Sequence, residues 1–165
     1  MGLLDADIRV RTILDTPLEL LKERGIDTLI VDVDNTVTEW RGRDVTDAAK
    51  DWFLSVKEQG FKACLVSNNN SGERISLIAE KLGIPSLHRA AKPGKNAFVR
   101  ALKLLDSTPE KTAVIGDQVF TDVLGGNRMG MLTVLVDPIS PSEFPGTKIM
   151  RFFEKVLSKR GDYSH

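Results

Sequence analysis

Short apolar runs that alternate with longer helical patterns are the feature that most constrains the fold of this 165-residue chain. The runs are largely free of polar residues and occupy positions 28–31, 61–66, 112–115 and 131–136, with a shorter one near 85–88. A short run that is apolar throughout and rich in Val, Ile and Leu is typical of a strand covered on both faces. The sequence therefore predicts buried strands at these places.

Helical patterns fill the segments between the strands, at positions 47–59, 72–82, 93–105 and 120–129. Thr46 can cap the first helix, and Gly60 and Gly83 stand where helices commonly end. Pro93 suits a first helical turn, because the N–H that proline lacks would have no helical partner there. This alternation predicts an α/β fold, a Rossmann-like three-layer α/β/α sandwich around a mainly parallel sheet.

The charge balance and the single cysteine exclude several classes of protein. Lys and Arg number 23, and so do Asp and Glu, so the chain lacks the basic excess of a general nucleic-acid binder. Cys64 has no second cysteine to pair with, which fits a reducing, cytoplasmic location. No apolar run reaches the ~20 residues of a membrane span, and Asp5 and Asp7 argue against a secretion signal. Cys64 and His88 have no partner pattern, and we interpret both as structural.

The length predicts one domain over residues 1–165, ending in an amphipathic helix at 148–160. Two interpretations of that helix stay open. A basic amphipathic helix can lie on an anionic membrane, which would make the protein peripheral. The plainer interpretation, which we favour, is a last helix docked on the sheet with its cations in water. The apolar residues of the N-terminal segment, such as Leu3 and Ile13, raise the same question.

Polar residues that can carry chemistry follow the predicted strands in a fixed order. They are Asp32 and Asp34 after the first strand, Ser67 and Asn68 after the second, Lys92 after the short strand, and Asp117 with Asp122 after the fourth. Each alone has a plain interpretation as a turn, a helix cap or a solvated side chain. Because the carboxyl ends of parallel strands meet at one edge, the ordered set predicts a shared site there.

The residue types match the chemistry of phosphoryl transfer. Asp32 can act as a nucleophile, and its charge beside a phosphate calls for a divalent cation. Asp32, Asp117 and the backbone carbonyl of Asp34 suit Mg²⁺, with Asp122 either binding a metal-bound water or capping a helix. The Asp34 carboxyl can exchange a proton with the leaving oxygen and then with water.

Phosphate oxygens need positive charge and hydrogen-bond donors in the same site. Ser67 and the amides that follow it, Asn68 first, can bind those oxygens. Lys92 adds a fixed positive charge against the negative charge of the transferring group. The sequence therefore predicts Ser67, Asn68 and Lys92 as the phosphate-binding residues.

These motifs resemble the haloacid dehalogenase (HAD) superfamily, and more closely its YqeG-like branch, which includes phosphatidylglycerophosphate phosphatases. The resemblance is clearest from about residue 14 to 136, and its branch-specific part is the run at 114–128. It implies the HAD fold, the roles given above for each site residue, Mg²⁺ as cofactor and a phosphorylated substrate.

The connections leave no room for an inserted cap domain, because only residues 35–45 remain for a loop between the first strand and the next helix. An open site suits a large substrate, and the resemblance implies phosphatidylglycerophosphate. Trp40, Arg41 and Arg43 in this loop either meet that substrate at a lipid surface or are an ordinary surface aromatic with solvated arginines.

Three other functions stay open. They are a capless phosphatase of a soluble sugar or nucleotide phosphate, a non-enzymatic binding module with the HAD fold, and a phosphorylation receiver. A receiver would take its carboxylates from different strand ends, whereas Asp32 and Asp34 share one. A homo-oligomer in which a neighbouring subunit covers the site also stays open.

Overall fold

The computed structural model describes residues 2–140, in which six parallel strands form one sheet with the order β1-β6-β5-β2-β3-β4. The strands are β1 Ile8–Val10, β2 Thr28–Val31, β3 Lys62–Val66, β4 Ser86–Leu87, β5 Thr112–Gly116 and β6 Leu132–Val136. The helices are α1 Leu18–Glu23, α2 Asp47–Glu58, α3 Gly72–Leu82, α4 Lys95–Leu105 and α5 Leu124–Met129. The predicted parallel α/β sandwich is confirmed.

The strand order reverses beside β2. From β2 the chain moves outward to β3 and β4, and then returns to place β5 on the other side of β2. Ligands of open parallel sheets bind outside the carboxyl ends of the strands at such a switch point. The topology therefore places a crevice above the end of β2, between β3 and β5.

Successive strand residues pack alternately into apolar cores on the two faces of the sheet. On one face, Val31 and Leu65 pack in a cluster with Phe53 of α2 and Ile78 of α3. On the other face, Ile30 and Val114 belong to a cluster with residues of α4, including Phe98 and Leu102. Because both faces are covered, the central strands are buried throughout, which is why they read as continuous apolar runs.

Helix boundaries follow the sequence signals with two corrections. Thr46 caps α2 as predicted, since its hydroxyl accepts a hydrogen bond from the Ala49 N–H at 3.1 Å, and α3 ends at Gly83 with a φ of +68°. Pro93 lies before α4, which begins at Lys95. The helix expected at 120–129 is two elements, because a π-helical turn, Val119–Val123, precedes α5.

The N-terminal segment is docked on the sheet. Strand β1, which was not predicted, pairs with β6, and Ile8 and Ile13 are buried. The Asp7 carboxylate accepts a hydrogen bond from the Thr133 N–H at 2.9 Å, which ties this segment to β6. Leu3 and Leu14 remain exposed.

No cap domain interrupts residues 2–140, and loop 35–45 alone joins the Asp32–Asp34 segment to α2. Within the same part of the chain, every helix is too short or too polar to cross a bilayer. The helix predicted at 148–160 lies outside the described residues. That helix, and the single domain over residues 1–165, stay predictions.

Replacement of Gly126 by Ala should destabilise the fold. A Cβ at this position would lie 2.7 Å from Cγ2 of Thr133 and 3.2 Å from Cγ2 of Val114, both on stiff β-branched side chains. We expect Gly126→Ala to lower the free energy of unfolding by about 1–3 kcal/mol in urea denaturation, despite the higher helix propensity of Ala. Arg128→Ala, at an exposed position of the same helix, is the control and should change it by less than about 0.5 kcal/mol. A Gly126→Ala protein as stable as the parent would contradict the close approach of α5 to the sheet.

Candidate active site

Asp32 stands at the centre of the carboxyl edge of the sheet. Its backbone N–H donates to the carbonyl of Ile115 at 2.9 Å, which extends the β2–β5 ladder past the last paired residues and fixes the backbone of Asp32. Its side chain is 13% exposed and lines a cavity of about 230 Å³. A well-positioned carboxylate therefore faces an open crevice at the switch point.

Lys92 is buried beneath this crevice as an ion-paired cation. Its Nζ donates to Oδ1 of Asp32 at 3.0 Å and to Oδ1 of Asp122 at 2.7 Å. Burial by itself lowers the pKa of Lys92, but the Asp122 and Asp32 carboxylates outweigh burial and hold the pKa above its ordinary value. The ammonium is therefore charged at neutral pH, and removal of one partner of such a pair typically costs about 3–5 kcal/mol.

The Asn68 side chain binds the backbone of Lys92. Its Oδ1 accepts from the Lys92 N–H at 2.7 Å, and its Nδ2 donates to the Lys92 carbonyl at 3.1 Å. These reciprocal bonds join the segment after β3 to the segment after β4, and so fix where the lysine starts. The side-chain amide of Asn68, a predicted phosphate-binding residue, is thus engaged by the protein, although Asn68 does line the cavity.

Ser67 follows β3 and lies on the opposite side of Asp32 from Asp117. It is buried, its backbone N–H donates to the Leu87 carbonyl at 2.9 Å, and its hydroxyl oxygen accepts from the Asn69 N–H at 3.0 Å. The hydroxyl lines the cavity with its hydrogen available to donate. A hydroxyl donor and an ammonium therefore border the same cavity as the Asp32 carboxylate.

Three carboxylates form a compact acidic group. One oxygen from each of Asp32, Asp117 and Asp122 lies within 4.8 Å of the others. The π-helical turn carries Asp122 inward, as such turns often do at functional sites, and the Gln118 N–H donates to its Oδ2 at 3.3 Å. A Cβ at Gly116 would collide with the Asp122 carboxylate, so this close approach requires glycine.

The acidic group carries more negative charge than Lys92 neutralises. Burial raises the pKa of Asp122 to about 7, with the Asp32 carboxylate adding to the rise and Lys92 opposing it. Closely spaced carboxylate oxygens with excess negative charge are ligands that hard divalent cations prefer. The chemistry of this donor set fits Mg²⁺.

Asp34 has a different partner from Asp32. Arg74 of α3, 4% exposed, donates from Nη2 to both carboxylate oxygens of Asp34 at 2.8 Å. Oδ1 of Asp34 also accepts from the Arg41 N–H at 2.8 Å. Asp34 lines the cavity but its carboxylate is not part of the acidic group. The two carboxylates of one strand end are therefore held by two different cations.

Loop 39–43 borders the cavity through Trp40. The Arg41 guanidinium lies 5.8 Å from the centre of the Trp40 ring, and the Lys81 ammonium donates to the Arg43 carbonyl at 3.2 Å. Asn69, Gln118 and Thr121 complete the lining. The mouth of the cavity is thus aromatic and polar.

Among the site residues that sequence reasoning missed, one carried a sequence signal and others did not. Arg74 could have been found as a cation within the apolar stripe of α3, beside Ile75 and Ile78. Gln118 and Thr121 had no signal beyond their closeness to Asp117. Burial raises the pKa of the Cys64 thiol to about 12, which fits the structural interpretation of that residue.

Comparison with known proteins agrees with this geometry. A family model described as HAD-hydrolase-like matches residues 89–138. The Bacillus subtilis protein named probable phosphatase YqeG is 43% identical over 148 residues, which cover 90% of this chain and 86% of that protein.

Two further relatives are named for one lipid substrate. Phosphatidylglycerophosphate phosphatase 1 of Arabidopsis thaliana is 30% identical, over 86% of this chain and 43% of that protein. The Saccharomyces cerevisiae phosphatidylglycerophosphatase GEP4 is 29% identical, over 90% of this chain and 84% of that protein.

Solved structures share the fold at low sequence identity. A Listeria monocytogenes protein has a TM-score of 0.57 at 20% identity, covering 73% of this chain and 85% of that one. The cobalt-bound deoxy-D-mannose-octulosonate 8-phosphate phosphatase of Haemophilus influenzae has a TM-score of 0.53 at 17% identity, covering 82% and 89%. The chain has the fold of these proteins and is a phosphoric monoester hydrolase of the haloacid dehalogenase superfamily, in the branch of YqeG and the phosphatidylglycerophosphate phosphatases.

Proposed function

We propose that this phosphatase is Mg²⁺-dependent and that Asp32 takes the phosphoryl group from the substrate and passes it to water. The observation that carries the proposal is the setting of Asp32. Its carboxylate faces an open cavity, with the Lys92 ammonium 3.0 Å away and the Asp117 and Asp122 carboxylates beside it. A nucleophile, a countercharge for the phosphate and ligands for a divalent cation are the parts that phosphoryl transfer needs.

In the first step, a carboxylate oxygen of Asp32 attacks phosphorus and the bond from phosphorus to the leaving oxygen breaks, which gives an aspartyl phosphate. The Ser67 hydroxyl, the Asn68 backbone N–H and the Lys92 ammonium would hold the other phosphoryl oxygens. Asp32, Asp117 and the backbone carbonyl of Asp34 would hold Mg²⁺, with Asp122 supporting it through a water, and the cation would neutralise charge between the carboxylate and the phosphoryl group.

Asp34 would exchange the proton in both steps. It donates to the leaving oxygen as the ester bond breaks, and then takes a proton from the water that attacks the aspartyl phosphate. Oδ1 of Asp34 accepts from both Arg41 and Arg74, whereas Oδ2 accepts from Arg74 alone among the described residues. Oδ2 therefore keeps a lone pair for the proton.

The proposed substrate is phosphatidylglycerophosphate, which would yield phosphatidylglycerol and phosphate. The support is the similarity to two proteins named for this activity and the form of the cavity. About 230 Å³ is too small for a lipid but admits a terminal phosphate with the nearest headgroup atoms. The remainder of the substrate would stay outside, next to Trp40, while the protein works from the cytoplasmic side of a membrane surface.

Replacement of Asp32 by Asn should abolish turnover, because the amide is not a nucleophile. We expect the variant to keep the fold. We expect phosphate release from phosphatidylglycerophosphate in mixed micelles with Mg²⁺ to fall by at least about 10⁴-fold. EDTA should stop the parent enzyme, and readdition of Mg²⁺ should restore it. Unchanged turnover by Asp32→Asn would overturn the mechanism.

A panel of soluble sugar and nucleotide phosphates in the same assay tests the substrate. Turnover of these esters without turnover of the lipid would keep the chemistry of Asp32 and discard the lipid. Metal-dependent turnover of the lipid alone would establish both. If no ester is hydrolysed, the non-enzymatic binding module becomes the favoured interpretation.

Replacement of Gly116 by Ala should lower the apparent affinity of the enzyme for Mg²⁺, because the added Cβ displaces the Asp122 carboxylate. We expect the Mg²⁺ concentration for half-maximal activity to rise by about 10–100-fold, with Asp122→Asn changing it in the same direction. Circular dichroism and thermal melting check that the variants fold. A folded Gly116→Ala enzyme with the parent's Mg²⁺ dependence would show that Asp122 does not support the metal.

A further inference from the structure

Arg74 is a buried cation to which the proposed mechanism gives no step of its own. It lies on the inner face of α3 between loop 39–43 and the candidate site, with a side chain that is 5% exposed. Arginine is seldom fully buried unless it is paired. Within residues 2–140, the Arg74 side chain donates hydrogen bonds to two acceptors, the Asp34 carboxylate and the carbonyl of Gly42.

The two acceptors use the two ends of the guanidinium. Nη2 binds both oxygens of Asp34 at 2.8 Å, and Nη1 donates to the Gly42 carbonyl at 2.6 Å. Because the guanidinium is planar and rigid, these bonds set the position of the carboxylate relative to the loop. An ammonium on a flexible stem would not impose that relation.

The loop is joined to the carboxylate a second time. The Arg41 N–H donates to Oδ1 of Asp34, one residue before the carbonyl that Arg74 binds and one residue after Trp40, which lines the cavity. Asp34, Arg74 and residues 40–42 therefore form one hydrogen-bonded unit. Displacement of Arg74 would break a contact of the carboxylate and a contact of the loop at the same time.

We infer that Arg74 is a positioning residue that holds Asp34, together with loop 39–43, in the arrangement for proton transfer to the leaving oxygen. This inference rests on the proposed role of Asp34. Proton transfer requires the donor within hydrogen-bond reach of the leaving oxygen, and a misplacement of 1 Å can cost about 10²-fold in rate. By holding Oδ1 twice and Oδ2 once, the unit leaves Oδ2 to exchange the proton.

Leaving-group dependence separates this role from a structural one. An alkyl phosphate needs a proton on its departing oxygen, whereas p-nitrophenolate leaves without one. The value of kcat/KM reports the steps up to formation of the aspartyl phosphate, so its ratio between the two esters isolates proton donation. Hydrolysis of the aspartyl phosphate is common to both esters and appears in kcat.

The test compares Arg74→Met and Asp34→Asn on phosphatidylglycerophosphate, glycerol 3-phosphate and p-nitrophenyl phosphate. For Asp34→Asn, we expect kcat/KM on the alkyl esters to fall by about 10²–10⁴-fold and on the aryl ester by less than about 10-fold. For Arg74→Met, we expect kcat/KM to fall by about 10²-fold on the alkyl esters and to change little on the aryl ester. The double variant should show the alkyl-to-aryl ratio of Asp34→Asn alone, because both changes remove one function.

Lys81→Met is the matched control. It removes a cation from the same helix that donates to the same loop, at the Arg43 carbonyl, but that does not touch Asp34. We expect its alkyl-to-aryl ratio to equal that of the parent. Arg74→Lys keeps the charge without the two-ended contact and should give an intermediate ratio.

The outcomes distinguish the two proposals. If Asp34→Asn leaves the ratio unchanged, the acid role of Asp34 fails and the inference falls with it. If Asp34→Asn lowers the ratio while folded Arg74→Met leaves it unchanged, or loses activity equally on both esters, Arg74 has a structural role only and the inference is overturned. Should Arg74→Met prove unfolded by circular dichroism, Arg74→Lys decides on the same ratio.

Discussion

The Lys92 ammonium is buried at the point where the strand order of the sheet reverses, and much of the site follows from what keeps it charged there. Two carboxylates must reach it, and they come from Asp32 and Asp122. Asp122 can approach only because Gly116 has no side chain and a π-helical turn points the carboxylate inward. Asn68 fixes the backbone from which the lysine extends. One buried charge therefore accounts for a glycine, a helical irregularity and an amide that would otherwise have no evident purpose.

Asp32 and Asp34 illustrate how one strand end can supply two carboxylates with different chemistry. Asp32 meets a buried ammonium and further acidic residues, whereas Asp34 meets the Arg74 guanidinium and a backbone N–H. Pairs of titratable groups in contrasting surroundings are a common way to divide roles in an active site. With loop 35–45 in place of a cap, Arg74 also joins one of these carboxylates to the wall of the cavity.

Particular elements show how far the sequence could be followed. The run at 28–31 became β2 without change, because burial on both faces requires apolar residues throughout. Strand β1 escaped prediction because it has three residues at the edge of the sheet, with Arg9 in the middle. The prediction of a regular helix at 120–129 was wrong for its first turn. That turn is π-helical, and it brings the Asp122 carboxylate into contact with Lys92. Arg74 was missed because a charged residue in a helical pattern is normally solvated.

The sequence by itself determined the class of fold, the order of the strand-end motifs and the absence of an inserted cap domain between the Asp32–Asp34 motif and the Ser67 motif. Hydrophobic periodicity and turn residues are local, and the carboxyl ends of parallel strands must share an edge, so these conclusions need no coordinates. Only the tertiary structure decided which partners each polar group takes. Contacts such as Arg74 with Asp34 and Asn68 with Lys92 join residues 40 and 24 positions apart. Their formation depends on how the helices and loops pack on the sheet, and a local sequence pattern does not predict that packing.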